Sequence, residues 1–80
     1  MLTSEQVRAG RAMIRWTAID LSQASGLGVA TIRRLELDDG VPTANASTLK
    51  AIQDALEKAG LEFVGSPNDG PGVRFRKSAS

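Results

Sequence analysis

A single glycine, Gly26, separates two short amphipathic segments in the middle of the chain. Glycine suits such a position because it enters the left-handed backbone region without steric cost and so ends a helix at a sharp turn. The pattern predicts helices over residues 18–25 and 29–37, joined by that turn. The middle of the chain is therefore expected to form a helical hairpin.

The second of these two helices has unlike faces on a helical wheel. Ile32 and Leu35 fall on one side and predict its contact with the core. The opposite side carries small, apolar and basic residues: Ala30, Arg33, Arg34 and Leu37. We therefore predict that both arginines point away from the core.

Capping signals place the helices that come before this turn. Thr3 and Gln6 are spaced as a capping box, which predicts a first helix over residues 4–14. Thr17 and Asp20 are spaced as a second capping pair and predict the start of the helix over 18–25. The chain is thus expected to form three successive helices.

A fourth helix and a hairpin complete the predicted elements. Apolar residues recur with helical spacing over 46–59, and they predict a core helix that ends before Gly60: Leu49, Ile52 and Leu56. After Gly60 the pattern alternates, so the segments LEFV and VRFRK predict two strands on either side of a long turn, SPNDGPG. Phe63 and Phe75 would each share a strand face with one aliphatic residue. They can pack on the fourth helix of their own chain, form a sheet with a second copy, or both.

Composition excludes several classes of site. The chain of 80 residues contains no cysteine and no histidine, so it lacks disulfides, thiolate nucleophiles and the commonest metal ligands. We expect no metal site, no cofactor and no enzymatic activity. No apolar run has the length of a membrane span or a signal peptide, which predicts a cytoplasmic protein with no membrane partner. So small a domain often gains stability by association, and a homodimer is expected.

Charge is distributed unevenly along the chain. Residues 1–35 carry five basic and two acidic side chains, a net +3, whereas residues 36–69 carry two basic and seven acidic ones, a net −5. The last eleven residues carry three basic side chains and no acidic one. An anionic partner is therefore expected at the N-terminal half or the tail, and not at the middle.

The order and spacing of these features resemble the Cro/C1-type (XRE family) helix-turn-helix regulators. The residues that carry the resemblance are Arg11, Leu21, Gly26, Ile32, Leu35, Glu36, Pro42 and the run from Leu49 to Leu56, together with GLEF and GPGVRFRK in the tail. The resemblance implies a mostly α fold: a four- to five-helix, lambda repressor-like DNA-binding domain over 1–60, followed by a C-terminal β-hairpin over 61–77. Residues 78–80 are expected to form a disordered tail.

The resemblance also implies roles for particular residues. Arg11 and Glu36 would form a structural ion pair between the first and third helices. Double-stranded DNA would be contacted by the third helix and by residues at helix N-termini: Thr17, Ala18, Gly28, Val29, Ala30, Thr31, Arg33, Arg34, Asn45 and Ser47. The hairpin would support dimerisation through Phe63, Val64, Val73 and Phe75.

Two hypotheses of different classes follow. The first is a homodimeric transcriptional regulator, a repressor, in which Arg34 reads guanine in the major groove of an inverted-repeat operator. The second is an antitoxin or antiactivator that uses the same fold mainly to bind a protein, which the acidic middle favours. Four residues depart from the family pattern in ways that weaken DNA contacts: Ala18, Gly28, Asp38 and Asp39. Simple solvation of Arg33 and Arg34 is the alternative to DNA contact.

Overall fold

The computed structural model describes residues 2–76 and contains four helices followed by an antiparallel hairpin. The elements are α1 (Ser4–Met13), α2 (Ala18–Ser25), α3 (Val29–Glu36), α4 (Ala46–Lys58), β1 (Leu61–Ser66) and β2 (Asp69–Phe75). All six were predicted from the sequence, and three of the helices end one residue earlier than expected. The expected disordered tail, residues 78–80, lies outside the described residues. None of the helices within residues 2–76 is long and apolar enough to cross a bilayer.

Side-chain caps explain where three of the helices begin. Thr3 and Gln6 form the expected capping box of α1, in which each side chain accepts a hydrogen bond from the backbone of the other. Thr17 and Asp20 do the same for α2. Asn45 caps α4 by accepting from the backbone N–H of Thr48 at 2.9 Å. These caps satisfy amides that have no partner within a helix.

All four helices and the first strand contribute to one apolar core. The predicted core residues of α3 and α4 are buried, and they meet side chains from the remaining elements: Leu2, Val7, Leu21, Ile32, Leu35, Leu49, Ile52, Ala55, Leu56 and Leu61. Helix α1 approaches the hairpin closely at Gly10, where an added Cβ would lie 3.1 Å from the Leu61 side chain. The hairpin therefore packs against the helices as part of the domain.

The hairpin turn is shorter than predicted. Ser66 pairs with Asp69, so only two residues connect the strands, and the predicted long turn over SPNDGPG is wrong. The pairing continues this far because a bulge interrupts the register at Gly65, whose φ is 77°. An added Cβ there would lie 2.3 Å from the carbonyl oxygen of Gly70. Only glycine fits this bulge.

The two phenylalanines of the hairpin differ in their surroundings. Phe63 is half-buried and packs against the core of its own chain. Phe75 is 61% exposed, although it stands opposite the fully buried Leu61 in the sheet. Packing within the chain therefore accounts for Phe63, whereas for Phe75 that alternative is wrong. Val73 packs against the core and Val64 is half-buried.

The buried side chain of Gln6 joins α1 to both strands. Its Nε2 donates to the carbonyl oxygens of Gly72 at 2.8 Å and Val64 at 3.3 Å, while its Oε1 accepts from the Thr3 amide at 2.8 Å. Sequence analysis identified only the capping role of Gln6. One amide thus starts the first helix and fixes the hairpin upon it.

Replacing Gln6 by Met should lower the free energy of unfolding by about 2–4 kcal/mol, since it removes three hydrogen bonds worth about 0.5–1.5 kcal/mol each at similar side-chain volume. Urea denaturation of the purified variants measures the change. Asp20 has the equivalent place in the exposed capping box of α2, but within residues 2–76 its side chain makes no hydrogen bond to the hairpin. Asp20→Ala should therefore lower the free energy of unfolding by less than Gln6→Met. Equal losses for the two variants would show that the bonds to the hairpin add nothing.

Candidate nucleic-acid interface

The turn between α2 and α3 is fixed by hydrogen bonds to the end of α2. Gly26 adopts a left-handed conformation with φ of 78°, and its amide donates to the carbonyl of Ser22 at 3.0 Å. The Ser22 hydroxyl in turn donates to the carbonyl of Leu27. Leu21 and Ile32, one from each helix, are fully buried. The angle between α2 and α3 is therefore held by both the turn and the core.

Helix α3 presents a basic outer face, as its helical wheel predicts. Ile32 and Leu35 are buried, whereas Ala30, Arg33 and Arg34 are exposed. Within residues 2–76 neither arginine forms an ion pair. The DNA-contact candidates Val29 and Thr31 are half-buried on the same helix, and Gly28 precedes it as an exposed N-cap without a side-chain hydrogen bond. Both guanidinium groups are thus available to an anionic or hydrogen-bonding partner.

A polar stripe on α1 holds the C-terminal end of α3. The fully buried Ser4 hydroxyl donates to the carbonyl of Leu35 at 2.8 Å. Arg8 donates to the carbonyls of Glu36 and Asp38. These carbonyls lie at or just beyond the end of the helix, where backbone acceptors lack helical partners and cations are favoured. The stripe therefore anchors the helix that carries the exposed arginines.

Arg11 completes this stripe and adds a charge pair. Its Nε and Nη2 donate to the two carboxylate oxygens of Glu36, each at 2.7 Å, and its Nη1 donates to the carbonyl of Trp16 at 2.8 Å. The Glu36 side chain is 9% exposed and that of Arg11 is 23% exposed. The pair links α1, the segment before α2 and the end of α3, which is the structural role expected from the sequence.

The Glu36 carboxylate raises the pKa of Arg11, because it accepts hydrogen bonds from the charged guanidinium. A basic group whose pKa is raised by folding contributes stability that is complete below its unfolded pKa and is lost only as pH rises through the folded pKa. Deprotonation of Arg11 is therefore displaced further into the alkaline range.

Sequence analysis missed Ser4 and Arg8. Together with Arg11 they follow the spacing i, i+4, i+7, which places three polar residues on one side of a helix. That spacing was the available signal, but their acceptors are backbone carbonyls whose position depends on the tertiary fold.

The N-terminus of α2 is partly occupied by its own cap. The Asp20 carboxylate accepts from the Thr17 amide at 2.8 Å, and the Thr17 hydroxyl accepts from the Asp20 amide at 3.1 Å. Ala18 is half-buried behind them. A helix N-terminus attracts phosphate, but a carboxylate at this position opposes that attraction. The predicted phosphate contacts at Thr17 and Ala18 are weakened accordingly.

The N-terminus of α4 holds two more predicted DNA contacts. Asn45 and Ser47 are exposed, and the Ser47 hydroxyl donates to the Asn45 side-chain oxygen at 2.8 Å. The Asn45 oxygen also caps the helix, so only its amide nitrogen remains to donate outward. Both residues thus form hydrogen bonds that stabilise the N-terminus of α4.

A groove beside Arg34 brings an acidic residue into the candidate interface. It has a volume of about 290 Å³ and is lined by Thr31, Arg34, Leu35, Asp38, Thr43 and Ala44. The Asp38 carboxylate accepts from the Thr43 amide at 3.4 Å. A phosphate entering this groove would meet both a cation and an anion. Leu37, at the adjoining end of α3, is 85% exposed.

Comparison of the sequence with protein-family models and with curated proteins finds no match.

Glu36→Ala should lower the free energy of unfolding by on the order of 3 kcal/mol, because it leaves the largely buried Arg11 without its partner. Chemical denaturation monitored by circular dichroism measures the loss. Glu62→Ala is the matched control, since Glu62 pairs with Arg74 at 2.6 Å on the exposed face of the hairpin and should cost less than about 1 kcal/mol. A similar small loss for both would refute an anchoring role for the Arg11–Glu36 pair.

Proposed function

We propose that the protein is a sequence-specific DNA-binding transcriptional regulator of the Cro/C1 type, which acts as a homodimeric repressor on an inverted-repeat operator. The observation that carries the proposal is the outer face of α3. Two arginines that form no ion pair within residues 2–76 project from a short helix that follows a tight turn and is anchored at its far end. Such a helix is suited to the major groove, where the second helix of a helix-turn-helix reads base edges.

Arg34 is the proposed base-reading residue. A guanidinium can donate two parallel hydrogen bonds to O6 and N7 of guanine, which other base pairs do not offer in the same pattern. Val29 and Ala30, near the start of α3, have no side-chain donors and would contact thymine methyl groups or sugars. Arg33 would read a second base or hold a phosphate. Sequence preference would thus come chiefly from one turn of α3.

Contacts to the DNA phosphates would fix the position of α3 in the groove without adding sequence preference. The hydroxyl of Thr17 and the amide nitrogen of Asn45 are the proposed donors to phosphate. Asp20 and Asp38 lie close to these positions and reduce the attraction. Because a single module of this kind buries only about 600–1,000 Å² on DNA, two copies would be needed for specific binding.

A second candidate function, of the antitoxin or antiactivator kind, is favoured by a specific observation. Leu37 is the most exposed of the large apolar side chains that the structure describes, and it adjoins Asp38 in the acidic middle of the chain. An apolar residue beside acids suits a protein surface better than a phosphate backbone. In this alternative the end of α3 would dock on a protein, and DNA binding would be absent or weak.

Arg34→Ala should weaken binding to the specific duplex by about 1–3 kcal/mol and relax the preference at one base pair of each half-site, because the bidentate contact is lost. The measurement is a titration of each variant against a duplex selected from a random pool and against its scrambled sequence, at two salt concentrations. Two-fold symmetry would place the half-sites about 34 Å apart.

Two further variants separate base contact from charge. Arg34→Lys keeps the charge but loses the planar fork, so it should lose preference while retaining most of the salt dependence. Thr17→Ala should weaken binding to both duplexes equally. Equal losses on both duplexes for Arg34→Ala would make Arg34 a phosphate contact. Failure of the wild type to select or bind any duplex would overturn the proposed function and favour the second candidate.

A further inference from the structure

Arg15, just after α1, has a backbone conformation that residues other than glycine seldom adopt. Its φ is 58°, in the left-handed region where a side chain crowds the following carbonyl oxygen. The amide of Arg15 donates to the carbonyl of Ala12 at 3.2 Å, and the amide of Trp16 donates to the carbonyl of Arg11 at 2.9 Å. These two bonds form a Schellman motif, whose left-handed position is usually a glycine. An arginine at this position is therefore strained.

The rest of the described chain uses glycine where this conformation is needed. Within residues 2–76 every other residue with a positive φ is a glycine, including Gly26 at the end of α2. Packing gives Arg15 nothing in return, because its side chain is exposed and forms no ion pair with a described residue. What the side chain adds is a positive charge at a place that the backbone fixes.

That place adjoins the candidate DNA-binding surface. The guanidinium of Arg11 donates both to the carbonyl of Trp16 at 2.8 Å and to the carboxylate of Glu36 at 2.7 Å. The residue after Arg15 is therefore separated from the last residue of α3 by one guanidinium group. Thr17, whose hydroxyl is a proposed phosphate donor, follows Arg15 by two residues. Arg15 thus lies near proposed contacts on both helices of the central hairpin.

The surface around Thr17 needs a positive charge if it is to approach DNA. The Asp20 carboxylate accepts a hydrogen bond from the Thr17 amide at 2.8 Å, and a carboxylate repels phosphate. Ala18 has no side-chain donor. An arginine two residues before Thr17 offsets the charge of Asp20, and its planar guanidinium can donate two hydrogen bonds to one phosphate.

We propose that Arg15 binds a DNA phosphate beside the start of α2, and that the chain retains an arginine at this strained position for that contact. The inference rests on the proposed function and adds to it a residue that supplies affinity without sequence preference. Backbone strain of this kind persists where the surrounding structure enforces it, and it is frequent at binding sites. The chain would thus lose some folding stability at Arg15 and gain affinity for DNA.

Substitutions of Arg15 separate its charge from its strain. Arg15→Gly removes both, Arg15→Ala removes the charge and keeps the strain, and Arg15→Lys keeps both. Arg15→Gly should therefore raise the midpoint of thermal unfolding by about 4 °C, because glycine adopts a positive φ freely. Arg15→Ala and Arg15→Lys should leave the midpoint close to that of the wild type. Scanning calorimetry measures the four midpoints.

Titration with the selected duplex and its scrambled sequence, at about 50 and 200 mM salt, measures the contact. Arg15→Gly and Arg15→Ala should weaken binding to both duplexes by the same factor. Because each bound subunit loses one phosphate contact, the ratio of wild-type to variant affinity should fall about 3.5-fold per subunit over that salt range. Arg15→Lys should keep the wild-type salt dependence. Arg74→Ala removes an exposed arginine from the hairpin and is the matched control, which should also keep it.

Each outcome decides the proposal. A weaker salt dependence in both Arg15→Gly and Arg15→Ala, restored in Arg15→Lys, supports it. A loss in Arg15→Ala that Arg15→Gly does not share would trace the effect to folding, and a loss on the selected duplex alone would indicate a base contact. Either result overturns the phosphate contact.

The wild type separates this inference from the function on which it rests. If the wild type binds the selected duplex with the same salt dependence as Arg15→Gly, the contact at Arg15 is overturned and the proposed function stands. If the wild type binds neither duplex, both are overturned.

Discussion

The anchoring of α3 by α1 is the constraint on which the candidate interface depends. Ser4, Arg8 and Arg11 bind the carbonyls and the carboxylate at the end of α3, and Arg11 also binds the carbonyl of Trp16 just before α2. Three side chains of one helix thus fix both helices of the central hairpin. Breaking a largely buried charge pair of this kind is costly because the remaining charge has no partner. The orientation of Arg33 and Arg34 follows from this arrangement.

The same domain is held from its other side by the hairpin. Gln6 bonds both strands, Leu61 fills the core, and Arg76 donates to the carbonyl of Glu57 at the end of α4 at 2.9 Å. Helix α1 therefore contacts α3 through the polar stripe and contacts the hairpin through Gln6.

Local signals account for what could be predicted from the sequence. The capping boxes at Thr3 and Thr17, the turn at Gly26 and the apolar repeat of α4 depend on neighbours within a few residues, so they defined all four helices. The Arg11–Glu36 pair was expected from the family resemblance, and the outward arginines were expected from helical spacing. The candidate DNA contacts themselves remain a proposal, since their partner is not part of the chain.

Long-range geometry accounts for what could not be predicted. Ser4 and Arg8 bind backbone carbonyls that any sequence would supply, so no residue type signals the contact. The short turn was hidden because the glycine and proline content of residues 65–71 suggests a loop, although Gly65 in fact forms a bulge that continues the pairing. Phe75 is 61% exposed although it stands opposite the fully buried Leu61, a difference that depends on tertiary packing and not on strand alternation.

Amide chemical shifts measured during titration with duplex DNA test the central claim most directly. If α3 enters the major groove, the changes should concentrate at its first two turns and at the N-termini of α2 and α4, and should saturate at one dimer per duplex. The resonances of the outer face of the hairpin should remain unchanged. Changes confined to the hairpin, or none at any DNA concentration, would contradict the account.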